Sequence, residues 1–199
     1  RLAAVRTVVE RLGQRPVAAG GDGERMTAPD TDTRDARAAA SGPRQDVRIV
    51  GFDPCWRAAF ATLNIEWLEH WFVVEDYDRE VLGNPEKYIL ANGGHILFAL
   101  DGEGHAIGTV ALKHEGDGVY ELTKMAVSPA ARGRGVGRLL MDAALELYRT
   151  LGARELFLES SSKLGPALAL YESVGFRHHS APRAGSHYAR ADVHMIWEP

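Results

Sequence analysis

Residues 127–138 read Val127-Ser128-Pro129-Ala130-Ala131-Arg132-Gly133-Arg134-Gly135-Val136-Gly137-Arg138. The strand pattern Val119–Val127 feeds this glycine-rich turn, and a helical pattern over about 136–151 leaves it. The first amides of a helix have no intrahelical acceptor and carry partial positive charge, so such a turn suits an anion. Glycines let backbone approach a phosphate closely, and Arg132, Arg134 and Arg138 add positive charge. A turn that only redirects the chain is the plainer alternative. Two nucleotide loops fit poorly. A P-loop needs Lys and then Ser or Thr, whereas Gly137 is followed by Arg138-Leu139. The fingerprint Gly-x-Gly-x-x-Gly starts at Gly133 and Gly135 but meets Arg138 at its sixth place.

Working outward, residues 47–50 read as a short strand. Asp53-Pro54 is an N-cap with proline at the first helical position, opening a helix through Trp56, Phe60, Leu63, Trp67 and Leu68. Residues 75–79 read as an acidic loop, and Asn84-Pro85 as the start of a second short helix. His95–Leu100, 105–114 and Val119–Val127 form an antiparallel meander joined by glycine-containing turns. Gly152 closes the long helix. Glu155–Ser160 is then a strand, 164–174 a helix, and Phe176–His179 and 186–197 are strands. This order is that of a mixed α/β sheet with its chemistry beside the glycine-rich turn.

The chain has 199 residues, which suits one ordinary domain with a tail. Its 45% hydrophobic and 25% charged residues exclude collagen-like, disulfide-framework and wholly disordered classes. A net charge of -4 disfavours non-specific nucleic-acid binding, which depends on phosphate neutralisation. Apolar stretches such as 96–100 are strand-sized, short of the roughly 20 residues that span a bilayer. Residues 1–13 lack the apolar run of a signal peptide. Neither nucleic acid nor membrane is therefore expected as a partner, and the default location is cytoplasmic. The lone Cys55 fits a reducing compartment and reads as a buried small hydrophobe. The eight histidines show no metal spacing, so no metal site is expected. Residues 1–46 hold no aromatic residue and are rich in Ala, Gly, Asp, Thr and Arg. They read as a disordered tail or as a non-native or fusion-remnant extension, since the chain starts at Arg1 and a Met stands at position 26. Residues 47–199 form the globular domain.

The spacing Arg-x-x-Gly-x-Gly at Arg132, Gly135 and Gly137 resembles the acyl-CoA pyrophosphate loop of the GNAT acetyltransferase superfamily. Residues 120–127 resemble that family's fourth strand. Ala167, Tyr171, Gly175 and Phe176 resemble its Ala-x-x-x-Tyr-x-x-x-Gly-Phe helix end. The resemblance covers essentially all of 47–199. It implies an N-acetyltransferase domain there, built on a mixed, mostly antiparallel sheet flanked by helices, with a splayed central strand pair. It also implies acetyl-CoA as usual donor, an amine as the group acetylated, and direct attack without a covalent enzyme intermediate. A longer acyl donor and a homodimer stay open. On the family's pattern the backbone of Met125, Ala126 and Val127 holds the pantetheine arm. The pyrophosphate falls to Arg132, Gly133, Arg134, Gly135, Val136, Gly137 and Arg138. Glu121 stands where members that use a carboxylate base often carry it, and Tyr171 at the general-acid position. One departure is Leu164, where many members carry an Asn that helps hold the pantetheine. Ser160, Ser161 and Ser162 lie just upstream to supply hydrogen bonds.

An amine arrives mostly as ammonium and must lose a proton before it attacks. Strand alternation puts Glu121, Thr123 and Met125 on one face and Leu122, Lys124 and Ala126 on the other. Partial burial would raise the Glu121 pKa toward a useful range for a base, while a surface Glu paired with Lys124 or Arg132 is the alternative. The acidic loop with Glu75, Asp76 and Asp78 would attract a cationic amine. Tyr188, Arg190, Asp192 and His194 alternate on the last strand, as a pocket wall in which Arg190 grips a carboxylate or as a solvated sheet surface. The leading expectation is N-acetylation of a small amine or amino-acid-like molecule. Acetylation of protein lysines or N-termini, or a non-catalytic acyl-CoA-binding regulatory module, are the alternatives.

Overall fold

The computed structural model describes residues 47–180 and 188–199, so the expectations for residues 1–46 lie outside the described residues. Its strands are β1 (Arg48–Gly51), β2 (His95–Leu100), β3 (Ala106–Gly116), β4 (Val119–Val127), β5 (Glu155–Ser160), β6 (Phe176–His179) and β7 (Val193–Trp197). Its longer helices are α1 (Arg57–Trp71), α2 (Asp76–Gly83), α3 (Val136–Thr150) and α4 (Gly165–Ser173). The strands form one sheet in the order β1-β2-β3-β4-β5-β7-β6. Every neighbouring pair is antiparallel except β4 with β5, which is parallel. That pairing lasts only from Val119–Glu155 to Glu121–Phe157, after which the two strands part.

Apolar residues on both faces of the central strands demand cover on both sides. On one face Leu140, Met141, Ala144 and Leu147 of α3 pack over Leu97, Val110, Leu112 and Leu122. On the other, Phe60 and Leu68 of α1 and Val81 and Leu82 of α2 pack over Ile96, Phe98 and Ala111. Asp53 caps the 3-10 turn Pro54–Trp56 that leads into α1, its Oδ1 accepting the Cys55 N–H at 2.9 Å. Cys55 itself is exposed rather than buried, because it sits on this solvent-side turn. No described helix is long and apolar enough to cross a membrane.

Three further local expectations are corrected. The acidic segment is no loop. Glu75 is the N-cap of α2, and Asp78 Oδ2 accepts the Glu75 N–H at 3.3 Å, so the carboxylates begin a helix. The last strand starts at Val193, and residues 188–192 form turns and irregular chain, so Tyr188, Arg190 and Asp192 do not alternate on a sheet face. Residues 186 and 187 lie outside the described residues. Finally, β4 is not a regular strand. The pairing jumps from Ala111–Thr123 to Thr109–Ala126, a β-bulge that inserts one residue, and Lys124 takes φ 51°. The bulge breaks the expected alternation, so Lys124 reaches the same side as Glu121, toward α2.

Gly108 on β3 lets the start of α3 lie close against the sheet. A Cβ there would stand 2.9 Å from Leu140 Cδ1, 3.2 Å from Ala126 O and 3.3 Å from Val136 Cγ1. Gly108→Ala should therefore destabilise the fold by about 1–3 kcal/mol in a denaturant titration. Gly102→Ala, where an added Cβ meets nothing within 4 Å, is the control and should change little.

Candidate active site

A cleft opens where β4 and β5 part. Glu121, Lys124, Met125, Ser160, Ser161, Leu164 and Tyr171 line it, together with Asn64, Trp67 and Leu68 of α1, Phe72 just after that helix, and Tyr188 and Arg190. Beyond Glu121 the β5-side edge of β4 has no strand partner, and this edge includes Met125, Ala126 and Val127. Backbone N–H and C=O groups at such an edge are open to an extended ligand.

At the end of that edge lies the glycine-rich turn. Gly133 has φ 71° and Gly135 φ 79°, left-handed conformations that favour glycine. Gly135 is the N-cap of α3 and offers no side chain, so the amides of Val136, Gly137 and Arg138 lack a capping group. Arg132 Nε donates to Val127 O at 3.0 Å and clips the turn to the end of β4. Arg138 Nε donates to Asp142 Oδ1 at 2.9 Å, and Arg134 is exposed beside them. Gly137 faces the same region. A Cβ added there would be 3.7 Å from Met125 Cε and Leu170 Cδ2, ordinary contact distances.

Glu121 is buried at the last paired position of β4, opposite Lys113 on β3. Burial pushes its carboxyl up to about 7, against the partial pull of Lys113 and Lys124. Burial pushes the Tyr171 phenol up to about 12. Its ring packs on Phe176 at 6.1 Å. Leu164 is buried, as is Ser161, and both line the cleft where the resemblance expects an Asn. Ser162 is held elsewhere. Its N–H and hydroxyl donate to the two carboxylate oxygens of Asp192, at 2.7 and 2.6 Å.

The charged groups expected near the cleft form a closed network. Asp78, fully buried, accepts from Lys124 Nζ at 2.9 Å and from both terminal nitrogens of Arg190 at 2.7 and 2.8 Å. Arg190 also donates to Glu75 Oε1 at 2.8 Å, and Lys124 to Tyr188 Oη at 2.8 Å. Burial alone would raise the Asp78 carboxyl, but Arg190 and Lys124 hold it below the usual carboxylate range. Burial lowers the Lys124 ammonium and raises the Tyr188 phenol. Arg190 thus grips carboxylates of its own chain, and Asp76 stays exposed outside the network.

Sequence reasoning missed Lys124, Trp67, Phe72 and Asn64. For Asn64 a signal was present, since it is a polar residue four places from both Phe60 and Leu68 on an apolar helix face. Among the described residues no group of three or more His, Cys, Asp or Glu is placed to hold a metal ion.

A model of the acetyltransferase (GNAT) family matches residues 56–176. The chain is 30% identical over 113 residues to the uncharacterized N-acetyltransferase YjgM of Escherichia coli (strain K12), covering 55% of this chain and 68% of that protein. It is 32% identical over 169 residues to the mycothiol acetyltransferase of Clavibacter michiganensis subsp. michiganensis (strain NCPPB 382), covering 83% of this chain but 45% of that protein. Its fold is similar to the crystal structure of a GNAT-family acetyltransferase from Staphylococcus aureus Mu50. That likeness has a TM-score of 0.69 and 18% identity over 76% of this chain and 98% of the other.

The raised Glu121 carboxyl affects stability. The folded chain keeps this proton up to about pH 7, whereas the unfolded chain releases it near the ordinary glutamate value of 4.5. The folded state binds more protons in between, so stability falls as pH rises across that window. Glu121→Gln carries no charge to lose. Relative to wild type, it should gain up to about 3 kcal/mol between pH 4.5 and pH 8, read by urea unfolding.

Proposed function

Because the chain belongs to the GNAT acetyltransferase family, we propose that residues 47–199 act as an N-acetyltransferase. The domain moves an acetyl group from acetyl-CoA to the primary amine of a small molecule or amino-acid-like compound in the cytoplasm. The similarity to an acetyltransferase named for mycothiol supports a small molecule rather than a protein as the group's destination. The observation that carries the reading is a buried carboxyl, Glu121, in one cleft with the Tyr171 phenol and the unpartnered edge of β4.

Each part has a physical task. The β4 edge at Met125, Ala126 and Val127 offers backbone hydrogen bonds to the amide-bearing arm of the donor. The amides of Val136, Gly137 and Arg138, with Arg132, Arg134 and Arg138, receive its pyrophosphate. Leu164 gives this arm an apolar contact in place of an amide side chain, and Ser160 and Ser161 stand beside it.

Glu121, with its carboxyl near 7, is ionised in a useful fraction at neutral pH yet basic enough to take a proton from an ammonium group. The neutral nitrogen then attacks the thioester carbonyl carbon. The N–C bond forms, the C–S bond breaks, and Tyr171 Oη gives the departing sulfur its proton. The nitrogen's second proton restores Tyr171, and Glu121 returns its own to solvent. A phenol held up to about 12 stays protonated across the working range, so the proton is always at hand. No covalent enzyme intermediate is needed.

Two measurements test the assignments. Gly135→Trp combines a left-handed backbone with a side chain in the anion's place, and acetyl-CoA binding should vanish in calorimetry while the domain stays folded. Unaltered affinity would remove the turn from the donor site. Glu121→Gln should lower kcat by about 10²–10⁴-fold with acetyl-CoA affinity near wild type. Wild type should lose rate as pH falls through about 7, and the variant should lack that limb. Tyr171→Phe should show a deficit that shrinks with a donor whose thiol is more acidic. Full rate in Glu121→Gln at every pH would transfer the base role to another group.

A further inference from the structure

We propose that the amine substrate carries an apolar body, aromatic or branched aliphatic, and no carboxylate. This rests on the N-acetyltransferase reading above. Three features of the cleft point to it.

The first is a pair of hydrogen-bond acceptors suited to an amine. Glu121 is one. Asn64 is the other, only 3% exposed and on the cleft wall. Its Nδ2 donates to Phe60 O at 2.9 Å, which fixes the amide and leaves Oδ1 without a hydrogen-bond partner among the described residues. An amide oxygen and a carboxylate in one cleft receive N–H donors and repel another carboxylate.

The second is the wall beside them. Trp67, Leu68 and Phe72 present apolar surface from α1 and the chain just after it. Covering such surface favours a substrate with a ring or branched chain over a small hydrophilic amine.

The third is the state of the positive charges. Lys124 and Arg190 would be the natural grips for a substrate carboxylate, and both line the cleft. Their charges are already matched by Asp78 and Glu75. Arg190 is further fixed against the rings of Tyr188 at 4.4 Å and Phe72 at 5.8 Å. A carboxylate entering here would join Glu121 and Glu159 without a cation of its own.

The test uses 2-phenylethylamine, phenylalanine and ethanolamine. The first two differ only in a carboxylate, and the third lacks the apolar body. With the full chain and acetyl-CoA, kcat/KM for 2-phenylethylamine should exceed that for phenylalanine by about 10²-fold. It should exceed that for ethanolamine by about tenfold or more. Calorimetry of the three amines with the chain saturated with CoA should give the same ranking without turnover. Glu75→Gln removes one charge that offsets Arg190 and should narrow the preference over phenylalanine with acetyl-CoA affinity unchanged. Equal or better use of phenylalanine or ethanolamine, or equal binding of all three, overturns the proposed class and leaves acetyl transfer standing. Ranked binding with no transfer to any amine supports the class and overturns the transfer reading beneath it.

Discussion

Strands β4 and β5 run side by side for three residue pairs and then separate. Most of the site depends on that parting. A parallel pair that stayed together would spend its backbone groups on each other and leave no room between them. Parted, it leaves one edge of β4 unsatisfied by the sheet, opens a cleft between two apolar layers, and sets Glu121 at the fork. The glycine turn at the far end of the same edge supplies unpaired helix amides. The proposed donor site and the proposed proton-accepting site are therefore two ends of one irregularity.

A second irregularity sits on the same strand. The bulge and the left-handed φ of Lys124 cost free energy in a residue that is not glycine. They turn an ammonium to the side of Glu121, where Asp78 and Tyr188 hold it. Without a cation nearby, a buried Glu would be driven further toward its neutral form. With one nearby, the carboxyl settles near neutrality. Asp78 in turn depends on Lys124 and Arg190, since an unpaired carboxylate with no solvent contact is strongly disfavoured. The burial of each charge thus requires the others.

Much of this was legible in the sequence. The order of strands and helices followed from apolar periodicity and from glycine and proline punctuation, and the turn at 132–138 from its glycines and arginines. What escaped shares one cause, which is that long-range contacts overrode local pattern. The segment at Glu75 looked like a charged loop because a Glu at the N-cap is a weaker signal than Ser or Asp. Its helix is anchored by Arg190, more than a hundred residues away. Residues 188–192 alternate like a strand, yet Arg190 is drawn off the sheet toward Asp78. The bulge at Lys124 left no local trace, because neither Thr123-Lys124-Met125 nor its neighbours contain a glycine to mark a left-handed residue.

The position of β7 has a consequence for how the molecule forms. It is the latest described strand along the chain, yet it lies inside the sheet, between β5 and β6. Among the described residues β6 meets the sheet only through it. The sheet therefore cannot be completed by zipping strands in the order in which they occur. β6 can join only with or after β7, and the segment that carries Tyr188 and Arg190 arrives with β7. Folding that waits on such distant pairings is slow compared with the closure of the β2-β3-β4 meander. The outer wall of the cleft and its charge balance therefore hang on the same strand that lets β6 join the sheet.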